Sequence, residues 1–289
     1  MANAVFPTSG TVAAMTGTGI GFLMREATSS DAFLAAGTAG LYLLAGLLAL
    51  TLHRDLLGPD DDPARPSARV AVRRVVAGLL DGARHVHRRP AAAWGLTVIG
   101  SHRFFYGIST VAMILLSRNY FHPPDDAEAG LATLTLVLAV SGAGFFVAAL
   151  ATPIATRHMH KETWIVALLA TAAVVQIVPG AFFEVPALLV TAFFLGVASQ
   201  GIKIVVDTLV QENVEDAYRG RVFSFYDVLF NVTFVAAAMF AALTLPPSGK
   251  SYLVLGIIAA GYAVTAAVYA RVTAHRVPNR VSGPEGAVS

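Results

Sequence analysis

Eight stretches of this sequence are each long and apolar enough to cross a bilayer as a helix, and no other feature limits the fold so severely. They cover residues 2–24, 32–52, 91–116, 131–156, 164–183, 185–210, 222–245 and 252–270. A hydrocarbon core about 30 Å thick is crossed by roughly 20 apolar residues in a helix. Barrel strands would instead alternate polar and apolar positions over about 10 residues. These runs are continuously apolar and rich in Ala, Leu and Gly, and a helix satisfies its own backbone hydrogen bonds in lipid. The expected fold is an all-α, polytopic transmembrane bundle of about eight helices. Composition agrees: 56% of the 289 residues are hydrophobic and 13% charged, whereas soluble domains are about 45–50% apolar and about 25% charged.

The first run is the most polar, with Thr8, Ser9, Thr11, Thr16 and Thr18, so it is expected to pack among other helices. Its Gly17 and Gly21 would permit a close crossing.

Basic residues sit between the runs, and their sidedness sets an orientation. With eight crossings, one side receives Arg54, Arg65, Arg69, Arg73, Arg74, Arg84, Arg88, Arg89, Arg157, Lys161, Arg219, Arg221, Arg271, Arg276 and Arg280. The other receives Arg25, Arg118 and Lys250. The rich side is the cytoplasmic one, which predicts a multi-pass plasma-membrane protein with both termini inside. A net charge of +2 distributed this way gives no reason to expect nucleic acid as a partner. The absence of cysteine excludes a disulfide scaffold and a thiolate metal site. Residues 1–10 carry no Lys or Arg, so the charged start of a secretory signal is missing.

The connections divide the chain unevenly. Two helices (1–52) precede a long linker (53–90), six follow it (91–271), and a polar tail (272–289) is expected to be disordered. The linker opens on an acidic, proline-rich stretch at 59–63. It continues into a basic segment where Val72, Val75, Val76, Leu79 and Leu80 share a helical face. Such a helix would lie on the membrane surface; a solvated basic spacer is the alternative.

This organisation resembles the major facilitator superfamily, whose members join two six-helix halves through a cytoplasmic linker. Residues 211–224, QENVEDAYRGRVFS, are similar to the loop between the tenth and eleventh helices of its exporters. Residues 78–90 resemble its junction between linker and seventh helix. The likeness is greatest to drug, macrolide and siderophore exporters. It implies that the first two helices here correspond to the family's fifth and sixth, with a complete carboxyl-terminal half after them and the first four helices lacking. Gly17 and Gly21 match two positions of the family's antiporter signature, but Thr18 replaces its Pro and Phe22 its last Gly. The loop at 155–161 keeps the basic character of the second signature without its Asp or Gly. The resemblance implies secondary transport, with efflux of small amphipathic compounds by alternating access and protons as candidate coupling ion. It implies neither a cofactor nor an enzymatic activity. The competing reading is a truncated or non-transporting membrane scaffold.

A charge at mid-bilayer costs about 2.5–3.5 kcal/mol on insertion scales, so each one invites an explanation. Arg103 lies near the middle of its run and shares a face with Tyr106 and Gly107. It is either a cavity-lining cation for an anionic or polar substrate, with Tyr106 offering a stacking and hydrogen-bonding surface as the second substrate candidate, or a structural arginine paired with backbone carbonyls or a neighbouring helix. Gln200, between Gly196 and Gly201, is a third candidate for contact with substrate, or an interhelical hydrogen-bonding group. Lys203 and Asp207 are spaced to pair along one helix. With Arg219, Arg221, Asp227 and Asn231 they form a candidate gate or coupling network; static helix-end charges are the alternative. Asp207 and Asp227 are the carboxylates inside the spans, and neither is placed at the midplane. His85 with His87, and His158 with His160, lack a third metal ligand. Gly249-Lys250-Ser251 lacks the first glycine of a phosphate loop, Thr244 standing there. No nucleophile–base arrangement is evident.

Overall fold

The computed structural model describes residues 13, 16, 17, 20, 21, 24, 28, 31–51, 68–123 and 125–274. These residues form eight α-helices and no strand. They are α1 (Asp31–Leu50), α2 (Ala68–His87), α3 (Pro90–Asn119), α4 (Ala127–His158), α5 (Lys161–Ile177), α6 (Val185–Asn213), α7 (Asp216–Thr244) and α8 (Tyr252–Ala274). A 3-10 turn, Gly180–Phe182, follows α5. Among the described residues seven helices are long and apolar enough to cross a membrane, so the fold is the expected all-helical membrane bundle. The first expected span, 2–24, falls almost entirely outside the described residues, as do linker residues 52–67 and the tail beyond Ala274.

Most helices overrun the apolar runs because hydropathy falls at the first polar residue while the backbone hydrogen bonding does not; α1 and α5 instead stop short of theirs, at Leu50 and Ile177, the latter just before Pro179 and the 3-10 turn. Residues 131–156 extend into the 32-residue α4, which begins where the Asp126 side chain accepts from the Ala129 amide at 3.1 Å. Pro90 opens α3 at a position where the amide has no helical partner to lose.

The chain divides into two compact units, residues 1–71 and 72–289. In the first, α1 is apolar on every side and exposed along its length, with Leu41, Tyr42 and Leu50 all outward. In the second, α3 to α8 enclose a core in which Ile99, Ile165, Ile202, Val206, Tyr262 and Tyr269 are buried. Outward positions are just as apolar: Leu138, Leu150, Val235 and Val264 are exposed. A surface of this kind is suited to lipid rather than water.

The broadest helix pairing is α4 with α6, and reciprocal glycines permit it. A Cβ on Gly144 would overlap the Phe193 carbonyl oxygen and lie 3.0 Å from the Val197 amide nitrogen. A Cβ on Gly196 would collide with the Ser141 carbonyl. Backbone meets backbone here, as small residues allow between membrane helices. At the far end of α3 from α2, Lys250 donates to the Tyr120 hydroxyl at 2.6 Å and sits 4.7 Å from its ring. That hydrogen bond raises the ammonium pKa above its ordinary value.

Gly196→Val is expected to lower the thermal unfolding midpoint in detergent, at a cost of about 1–3 kcal/mol. Gly142→Ala, where a Cβ meets nothing within 4 Å, should leave it nearly unchanged; equal midpoints for both variants would refute the close-packing account.

Candidate functional site

Arg103 enters the membrane on α3, 13 residues after Pro90 and so about 20 Å along the helix. Its guanidinium carbon lies 4.1 Å from the centroid of Phe230, 4.4 Å from Phe234 and 5.8 Å from Tyr106. The α3–α7 contact, close at Gly107 and Ala237, brings these rings over the cation. Aromatic faces stabilise a desolvated guanidinium by about 2 kcal/mol. They do not satisfy its donors: Nε is buried and has no hydrogen-bond partner among the described residues.

Lys203 and Asp207 lie one turn apart on α6, about 15 Å and about 9 Å from the end at Asn213. They form an ion pair at 2.8 Å, with Lys203 Nζ 5.5 Å from the ring of Tyr226 on α7. Tyr226 is 2% exposed, and its hydroxyl is the shared electrostatic neighbour of Asp207, Asp227 and Arg103. By strict geometry neither the Tyr226 hydroxyl nor Asp207 Oδ1 has a hydrogen-bond partner among the described residues, but the two side chains lie close enough for the hydroxyl to donate to the Asp207 carboxylate after a small shift. Three buried polar atoms from three helices are thus incompletely bonded within one cluster. Each such atom costs about 1–3 kcal/mol. Arg103 and the Lys203–Asp207 pair, which the sequence separates into substrate and gate groups, are neighbours through this tyrosine.

The remaining candidates lie elsewhere, except Asp227, which is within electrostatic reach of the Tyr226 hydroxyl. Arg219 pairs with Asp216 at 2.7 Å and donates to the Gln211 carbonyl at 3.1 Å. Arg221 lies 3.8 Å from Asp81 and 5.6 Å from the Tyr218 ring. Asp227 and Asn231 sit on the exposed face of α7, where Asn231 donates to the Asp227 backbone carbonyl at 2.8 Å. Gln200 is half-buried, between glycines packed on α4 and α5. His102, fully buried, sits between the tilted rings of Tyr106 and Tyr262, with centroids 5.7 and 5.6 Å away.

Sequence reasoning missed Tyr226, Phe230 and Phe234. Their four-residue spacing marks one helical face, but nothing local says that Arg103 meets it. A further groove of about 560 Å³ runs along another face of α3, lined by Thr97, Ser101, Phe104, Phe225, Leu229 and Thr233 among others. Its size falls within the range of small-molecule sites, about 300–1,000 Å³.

A family model described as Major Facilitator Superfamily matches residues 1–237. Two relatives, uncharacterized MFS-type transporters of Mycobacterium tuberculosis and Mycobacterium bovis, are each 36% identical to the chain over 256 residues. The match takes in 86% of this chain and 56% of each relative, so the chain spans just over half the length of the relatives it matches. No solved structure matches it.

Removing one member of the charged pair should harm the fold more than removing both. Asp207→Leu is expected to lower the unfolding midpoint, and Lys203→Met combined with Asp207→Leu to recover most of the loss. A double variant less stable than the single one would show that the pair does not act as a unit.

Proposed function

The chain belongs to the major facilitator superfamily, and from that premise we propose that it serves secondary transport, exporting small amphipathic compounds by alternating access between two helical halves. Residues 1–52 supply the last two helices of the first half, 53–90 the linker and 91–271 the second half. The membrane is the plasma membrane, with the arginine-rich connections and both termini in the cytoplasm.

The observation that carries this reading is the convergence of Arg103, Tyr226 and Asp207 from α3, α7 and α6, each with a buried polar atom that lacks a well-aligned partner among the described residues. A static bundle gains nothing from such a cluster, which costs free energy in lipid. Transport requires groups whose bonds are completed by cargo, water or movement. Arg103 draws in the polar or anionic end of the cargo, Tyr106 and Phe230 take its flat apolar part, and the Lys203–Asp207 pair exchanges partners as the halves rock. Asp207 is the candidate proton carrier, paired with Lys203 until the pair opens. Arg219, Arg221, Asp227 and Asn231 form the outer part of the gate, and Gln200 contributes a polar contact.

In proteoliposomes, flux of an amphipathic fluorescent dye should exceed that of protein-free vesicles and respond to a pH gradient. Arg103→Gln should reduce it at least about tenfold, equivalent to about 1.4 kcal/mol of lost interaction. Asp227→Asn should change its rate or its pH response. Flux indistinguishable from empty vesicles, for folded protein, would leave the scaffold reading in its place.

A further inference from the structure

We propose that α2 is a binding site for acidic phospholipid, holding headgroups along its arginine flank while its valines enter the bilayer surface. This inference is independent of what the protein carries.

The helix has an apolar stripe and a basic flank. Val72, Val75, Val76, Leu79 and Leu80 recur at three- and four-residue spacing, so they share one side. Val72 and Val75 are 62% and 64% exposed, with Val76 and Leu80 exposed beside them. Arg73 and Arg84, eleven residues apart, fall on one edge of the stripe about three turns from each other. Arg73 has no ion-pair partner among the described residues, and Arg84 has only a 4.0 Å approach to Asp81 at an exposed surface.

The fold fixes where this face lies. Only Arg88 and Arg89 separate α2 from α3, and their amides bond back to His85 and Val86 at 3.2 and 2.8 Å. Since α3 crosses the membrane, α2 ends at the membrane boundary. Its last turns are clamped to the bundle. A Cβ on Gly82 would lie 2.7 Å from the Arg221 carbonyl oxygen, His85 stacks on Tyr218 at 4.1 Å and 11°, and Val86 is 4% exposed. The clamped end holds the preceding turns beside the bilayer surface, where valines gain by burial and arginines by nearness to phosphate. A basic residue near an anionic membrane contributes about 1 kcal/mol, so charge complementarity selects acidic over zwitterionic lipid. The clamp also ties lipid occupancy to the start of α7, where Tyr218 and Arg221 sit.

The chain has no cysteine, so Val76→Cys carries a single fluorophore without further engineering. The whole chain is reconstituted in vesicles of phosphatidylcholine, alone or with phosphatidylglycerol, containing nitroxide-labelled acyl chains. Quenching should be strong with phosphatidylglycerol, weak without it, and reduced by high salt. Arg73→Gln and Arg84→Gln should each shift the docked helix toward release by about fivefold. A probe at Val264→Cys, on the exposed face of α8, should be quenched in every vesicle and reports insertion of each variant. Equal quenching of the Val76 probe in both lipids would overturn acidic-lipid recognition. No quenching in either would mean that protein or water covers the face. Release by free glycerol phosphate, as effective as by salt, would assign the arginines to a soluble anion instead.

Discussion

Lipid offers a peptide group nothing to bond with, and that constraint shapes everything else in this chain. Each crossing segment closes its own hydrogen bonds as a helix, so the side chains are left to decide only how helices meet. They cannot do so by hydrophobicity, because the outward face of α4, with Leu138 and Leu150, is as apolar as the inward one. Close approach decides instead. Gly144 and Gly196 let α4 and α6 touch along their backbones, and dispersion between surfaces in contact supplies the attraction.

Against that uniform background a polar group stands out by its cost. The threonines of the helices resolve it locally, Thr110 and Thr208 each donating to the carbonyl four residues earlier. Arg103, Tyr226 and Asp207 do not, since each keeps a buried atom without a well-aligned partner among the described residues. Gln176 is a useful contrast. It is as buried as Tyr226, yet donates to Ser109 at 2.5 Å across two helices. Unbonded polar atoms also occur on single residues among those described, His102 and Ser117, so the informative feature around Tyr226 is that three of them, from three helices, come together at one place.

The sequence made the helices legible because runs of about 20 apolar residues have one stable backbone solution in lipid. It also singled out Arg103, Lys203 and Asp207, because charge in such a run is expensive wherever it points. Direction was harder to read. Asp207 and Asp227 look equivalent by depth, yet one turns toward Lys203 and Tyr226 while the other lies on an exposed face. Tyr226 was missed because its ring reads as ordinary apolar filling, and only the α3–α7 packing brings Arg103 beside it. The basic segment of the linker was legible as an amphipathic helix. Its clamp was not, since that depends on Gly82 meeting a carbonyl some 140 residues away in the chain.

The turn joining α6 to α7 is just Val214 and Glu215, and Arg89, at the entrance to α3, pairs with Glu215. Beyond that turn the two helices hardly touch, α6 packing chiefly on α4 and α7 chiefly on α3. The connection is then a joint with two arms: Lys203 and Asp207 ride on one and Tyr226 on the other, at about 9–15 Å from it. Arg103 goes with the second arm, through the α3–α7 packing and its stack on Phe230. A small change of angle at the joint would leave that stack intact and alter the distance from Tyr226 to the Lys203–Asp207 pair.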